Sequence, residues 1–125
     1  MKKLYLLVIL YLISSSAHAA WIKVWESDVS QHFVQSEIVK YKSKLAHFWL
    51  LTNNHAPDES GYLSYKQKIE IDCEYNQLRL VAQIGYEKKM GLGGFNRFRK
   101  AYEEWEEILP DSLSGELYRY VCSKK

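Results

Sequence analysis

The chain has 125 residues, 47% hydrophobic and 26% charged, with 17 Lys and Arg against 15 Asp and Glu. That length bounds the folded part to one domain with a modest core. The near balance of mixed charges, with no long basic run, excludes an electrostatic case for nucleic acid, and no repeat or low-complexity segment is present.

Lys2 and Lys3 form a basic start, Leu4–Ile13 is apolar apart from two tyrosines, and Ser14–Ala19 is small and polar, ending in Ala17-His18-Ala19. This is the layout of a secretory signal peptide over residues 1–19, cleaved between Ala19 and Ala20. The apolar run is too short for a comfortable membrane span, so no stable span is expected after cleavage. The mature part, 20–125, is read as a single domain. Without Lys2 and Lys3 the 17 basic residues fall to 15, equal to the 15 acidic ones, so the mature chain is neutral. No cysteine follows the cleavage site, so no lipoprotein anchor is evident. An exported protein is expected, periplasmic or secreted to the cell surface.

Trp21–Trp25 opens the mature part as a first strand, with Trp21, Lys23 and Trp25 alternating with Ile22 and Val24. Ser27–Ser30 is turn-like, and His32–Gln35 and Ile38–Tyr41 are short β-prone pieces. Leu45–Thr52, reading LAHFWLLT, is the most apolar mature segment. A buried helical turn fits the same letters, but the aromatics and the following Asn53-Asn54 favour a central strand, apolar on both faces. Asn53–Gly61 is a loop rich in turn formers.

Leu63–Tyr86 holds two alternating runs. Ile69, Ile71 and Cys73 fall on one strand face, with Lys68, Glu70 and Asp72 on the other. Leu78, Leu80, Ala82, Ile84 and Tyr86 repeat the pattern, with Val81 as an apolar residue on the opposite face. Glu74–Gln77 between them suits a hairpin turn. Glu87–Gly94 is glycine-rich but lacks the ending of a phosphate loop, and is read as a flexible hairpin connection. Phe95, Phe98, Tyr102, Trp105 and Leu109 lie at helical spacing, so local pattern alone predicts a helix over Phe95–Leu109, broken by Pro110. Asp111 is the expected N-cap of a final helix over about Ser112–Ser123, with Leu113, Leu117, Tyr120 and Val121 on its apolar face.

Cys73 and Cys122 are the two cysteines, and in an exported chain they read as one disulfide tying the central hairpin to the C-terminus. Closing a loop of that length contributes roughly 4 kcal/mol in the chain-entropy account. His32, His47 and His55 lie far apart and lack metal-site spacing, so no metal and no cofactor is expected. The glutamates of Glu103–Glu107 read as a wet face, and no serine sits in a nucleophile elbow. A catalytic constellation is therefore not predicted. The mature aromatics (four Trp, four Phe, eight Tyr) serve first as core and cross-strand packing, and an aromatic binding surface is the sharper alternative.

Trp21, the tryptophan in HFWLLTN, Ser64 with IEIDC ending at Cys73, Arg79, Trp105, the ILPDS segment Ile108–Ser112, and Val121-Cys122 occur in an order that resembles the surface-adhesin protein E family of Gram-negative bacteria. The resemblance spans most of the mature chain. It implies an α+β fold: an antiparallel sheet of about five to six strands with a C-terminal helix packed on it and fastened by the Cys73–Cys122 disulfide. It also implies that part of Phe95–Tyr102 is an edge strand, against the local helix pattern. The implied function is non-catalytic binding of host extracellular-matrix or serum proteins, or of envelope proteins, with no transferable catalytic residues. The alternative is a periplasmic enzyme or enzyme inhibitor with its site in Asn53–Gly61 or Glu87–Gly94.

The cleavage site makes a direct prediction. N-terminal sequencing of exported protein should begin at Ala20. Exported material that retains Met1 would contradict both the signal peptide and the location inferred from it.

Overall fold

The computed structural model describes residues 20–35, 40–100 and 104–123, with backbone only for 95–100. Residues 1–19, with the expected signal segment and Ala19, and residues 36–39, 101–103 and 124–125 lie outside the described residues.

Among the described residues eight strands build one antiparallel sheet: β1 (Trp21–Glu26), β2 (Ser30–Gln35), β3 (Lys40–Lys42), β4 (Leu45–Asn54), β5 (Ser64–Asp72), β6 (Gln77–Tyr86), β7 (Phe95–Lys100) and β8 (Glu106–Glu107). A helix, α1 (Leu113–Cys122), follows. The main path runs β1-β2-β4-β5-β6-β7. β3 pairs with the start of β4 while β2 pairs with its end, so the two share a lane. β7 and β8 share the lane beyond β6 in the same way. The sheet is thus a meander of six lanes, in agreement with the five to six strands expected.

Local chemistry explains the tight central turn. Asp72 Oδ1 accepts from the backbone N–H groups of Glu74 and Tyr75, and Asn76 takes a left-handed φ of 52°. Asp and Asn favour these two roles, which closes the β5–β6 hairpin over Cys73–Asn76.

The core lies between α1 and one face of the sheet. Val34, Ala46, Phe48, Leu50, Ile69 and Ile71 point up from the strands, and Leu117 and Val121 point down from the helix. Leu117 and Val121 are one helical turn apart, so they share a stripe. Leu113, Tyr118 and Tyr120 pack at its margins.

Two β-bulges alter the alternation read from sequence. In β6, Leu80 lies opposite Ile69 while Ala82 lies opposite Lys68, leaving Val81 as the extra residue. An inserted residue shifts side-chain parity. Leu78 and Leu80 therefore face the core, whereas Ala82, Ile84 and Tyr86 share the opposite face with Lys68, Lys66 and Ser64. The single face expected for all five is corrected. In β1, Val24 is extra in the same sense, so Trp25 lies opposite His32 on the core side and leaves the face of Trp21 and Lys23.

The local helix pattern over Phe95–Leu109 is also overturned. Phe95–Lys100 pairs with β6, and Glu106–Glu107 pairs with Gln77–Leu78. Helix propensity is a weak preference, and the unpaired rim of β6 offers a full ladder of backbone hydrogen bonds that outweighs it. The edge strand implied by the family resemblance is present over Phe95–Lys100, while Tyr102 falls outside the described residues. The glycine-rich connection is held in place. Ser64 Oγ donates to the Lys88 carbonyl and accepts from Gly91 N–H, and Asn53 Oδ1 accepts from Met90 N–H at 2.8 Å.

The N-cap of α1 is Ser112, one residue later than expected. Asp111 adopts φ 54° after Pro110, which leaves Ser112 extended with its Oγ accepting from Gly115 N–H and donating to Leu109 C=O. Gly115 is needed there, because a Cβ would lie 2.6 Å from the Leu109 oxygen. At the far end Cys122 bonds Cys73, closing 49 residues with a Cα–Cα distance of 5.7 Å. Tyr41 Oη donates to the Val121 carbonyl and Tyr118 Oη to the Cys73 carbonyl, so the helix end is held on both sides.

Replacing Cys122→Ser should lower unfolding free energy by about 2–5 kcal/mol. The chain should still fold, since burying Leu117 and Val121 contributes roughly 1.5–3 kcal/mol each. Hydrogen exchange should show the amides of α1 losing protection first. Melting at the wild-type temperature under oxidising conditions would contradict this.

Candidate binding face

α1 covers one face of the sheet; on the other, the 3-10 turn Lys89–Gly91 caps the end at Asn53 and Ser64, and among the described residues no α-helix covers the rest. Cross-strand register fixes what that second face presents. One row runs Lys40, His47, Glu70, Arg79 across β3 to β6, and the next runs Trp49, Lys68, Ala82 across β4 to β6.

The first row is a connected strut. Glu70 is 7% exposed. Its Oε1 accepts from Arg79 Nη2 at 2.9 Å and Nε at 3.1 Å, and its Oε2 lies 3.3 Å from His47 Nδ1. The Arg79 guanidinium sits 4.5 Å from the Trp105 ring centroid. A planar cation can stack on an indole and serve a carboxylate at its edge in one geometry, which suits Arg and not Lys. The carboxylate holds the imidazole, but among the described residues no hydroxyl or thiol meets the other ring nitrogen of His47.

The second row borders two depressions that meet at Trp49. One, of about 240 Å³, is lined by Trp21, Gln35, Trp49, Lys66, Ile84 and Tyr86. The other, of about 390 Å³, is lined by Lys40, Tyr41, Lys42, His47, Phe48, Trp49 and Lys68. Lys66 Nζ lies 5.5 Å from the Tyr86 ring centroid, and partial burial raises the Tyr86 phenol above its ordinary pKa. A larger depression of about 530 Å³ lies between α1 and Ile108–Pro110. Gly115, Tyr118 and Cys122 line it, so it is the seam where the helix docks.

The other expected residues are placed as follows. Cys73 and Cys122 come together as the disulfide. Ala20 directly precedes β1, and Ala19 lies outside the described residues. His32 lies on the core side, with Nδ1 2.8 Å from Thr52 Oγ1 and Nε2 2.9 Å from Ser30 Oγ, and burial lowers its pKa. In Asn53–Gly61, Asp58 Oδ1 accepts from the N–H groups of Ser60 and Tyr62, so that carboxylate shapes the loop. Among the described residues no three His, Cys, Asp or Glu converge to hold a metal ion. No described helix is long and apolar enough to cross a membrane. Lys66, Ile84 and Tyr86 were not predicted as a binding surface. Val81, an apolar residue on the wrong face, was the one sequence sign of the bulge that puts Ile84 and Tyr86 there.

A disulfide-fastened helix over one face of an open antiparallel meander, with the other face aromatic and cationic, defines a small one-disulfide α+β domain. The family model for the surface-adhesin protein E matches residues 21–123, and the chain belongs to that family. Crystal form II of Haemophilus influenzae protein E superposes with a TM-score of 0.67 at 16% identity, covering 87% of this chain and 91% of that one. Protein E from non-typeable Haemophilus influenzae gives 0.62 at 16% identity, over 87% and 79%. At that identity the likeness is one of fold. No curated protein sequence matches the chain.

The strut makes a prediction. Arg79→Ala leaves Glu70 buried without its guanidinium and should destabilise by about 1–3 kcal/mol in denaturant unfolding. Adding Glu70→Gln to that variant should recover part of the loss. An Arg79→Ala protein as stable as wild type would show that the row is not a strut.

Proposed function

We propose that residues 20–125 form the exported, non-catalytic binding module of a surface adhesin, and that it engages host extracellular-matrix or serum proteins through the helix-free face. Membership in the surface-adhesin protein E family supports the adhesive role. The leader-like first 19 residues and the single disulfide support export to an oxidising compartment.

The observation that carries the choice of face is Trp49. It stands half-buried between two depressions, and Trp21, Ile84 and Tyr86 extend the same surface. Aromatic side chains with a free apolar flank are the usual anchors of protein interfaces, because they bury much area at low entropic cost. The opposite face is already spent on α1.

Binding to immobilised basement-membrane extract and to serum proteins tests this. Trp49→Ala should weaken binding by about tenfold or more, the size expected of a central anchor. Arg119→Ala, on the exposed side of α1, should leave it unchanged. Equal binding by wild type and Trp49→Ala, or loss confined to Arg119→Ala, would contradict the proposed face.

A further inference from the structure

We infer that the depression between β3, β4 and β5 on the helix-free face binds a sulfated glycan chain. This rests on the reading of that face as the docking surface of an exported protein, and adds a partner chemistry to it.

Lys40, Lys42 and Lys68 line the depression, and none has a carboxylate in ion-pair range among the described residues. Among the described residues that line it there is no carboxylate. The nearest acidic row member, Glu70, is answered by Arg79, and Asp72 is turned to the N–H groups of the β5–β6 turn. Among the described residues, three lysines without an ion-pair partner thus gather at one place. Clustered charge of one sign in a concave site raises the local concentration of an oppositely charged ligand.

Geometry narrows the ligand. Lys40 and Lys68 belong to lanes on either side of β4, so their backbones stand about 10 Å apart. Lys40, Lys42 and Lys68 spread flexible ammonium groups over that span, so successive anionic groups of one chain can each meet a lysine. Trp49 lies between them and offers a flat apolar surface to the C–H face of a sugar ring. Lysine meets each sulfate as a mobile point charge, which tolerates an irregular sulfation pattern better than a rigid fork would. The second depression continues past Trp49 to Lys66, so the cationic track has room for an extended chain.

Titration with heparan sulfate, its unsulfated backbone polymer and single-stranded DNA, at stepped salt, tests the site. Heparan sulfate should bind saturably and weaken steeply with salt, and the unsulfated polymer should not bind. The Lys40→Gln/Lys42→Gln/Lys68→Gln variant should lose about tenfold or more, since each lysine displaces roughly one condensed counterion. The matching triple arginine variant should retain binding. If the triple glutamine variant does not fold, Lys40→Gln alone, at an exposed strand edge, should still weaken binding and flatten its salt dependence. No heparan sulfate binding at low salt, undiminished binding by the glutamine variant, or DNA binding as tight as heparan sulfate would overturn the inference. Heparinase treatment of basement-membrane extract separates it from the protein-docking reading. Full adhesion after treatment, with no binding in the titration, would leave protein docking standing and remove the glycan site. Heparan sulfate binding without adhesion to treated extract would do the reverse.

Discussion

Leu117 and Val121, one turn apart on α1, close over Phe48, Leu50, Ile69 and Ile71, and the Cys73–Cys122 bond holds them there. This contact makes the two faces of the sheet unequal. A chain of this size buries one modest core. Once the helix has taken one face, the other must be satisfied by strand neighbours, by paired polar groups and by whatever the protein binds. Leu51 and Ala82 are buried there by their neighbours. Glu70 is tolerable there only because Arg79 meets its carboxylate. Trp49 stays half open.

Much of this was legible in the sequence, for identifiable reasons. The β5–β6 hairpin showed itself through strict alternation up to Cys73 and through an Asp and an Asn at the turn. The helix showed itself through the spacing of Leu113, Leu117 and Val121, and the disulfide through there being one possible pair. What stayed hidden depended on pairing between distant residues. A bulge is one residue of register, and only the partner strand shows that Val81 is the extra one. Phe95–Lys100 carries a helical pattern of aromatics, yet β6 leaves an edge to be filled. The N-cap moved to Ser112 because Asp111 was claimed by the turn after Pro110.

The same hidden features set the candidate site. Without the β6 bulge, Ile84 and Tyr86 would point toward the helix side, and Trp49 would lack that border. Without the share of one lane by β2 and β3, Lys40 and Lys42 would not stand beside His47 and Leu45. The family gives the fold and the adhesive setting, and the register of this chain decides which side chains each face of the sheet presents. Function resides in that arrangement rather than in the fold alone.

The central claim is that binding occurs on the face opposite α1. Hydroxyl-radical footprinting of the protein, free and bound to basement-membrane extract, tests it most directly, because the reporters lie on both sides. Trp21, Trp49 and Tyr86 should become protected in the complex, while Tyr118 and Tyr120 of α1 keep their reactivity. Protection confined to Tyr118, Tyr120 and the rest of α1, with Trp49 unchanged, would contradict the account.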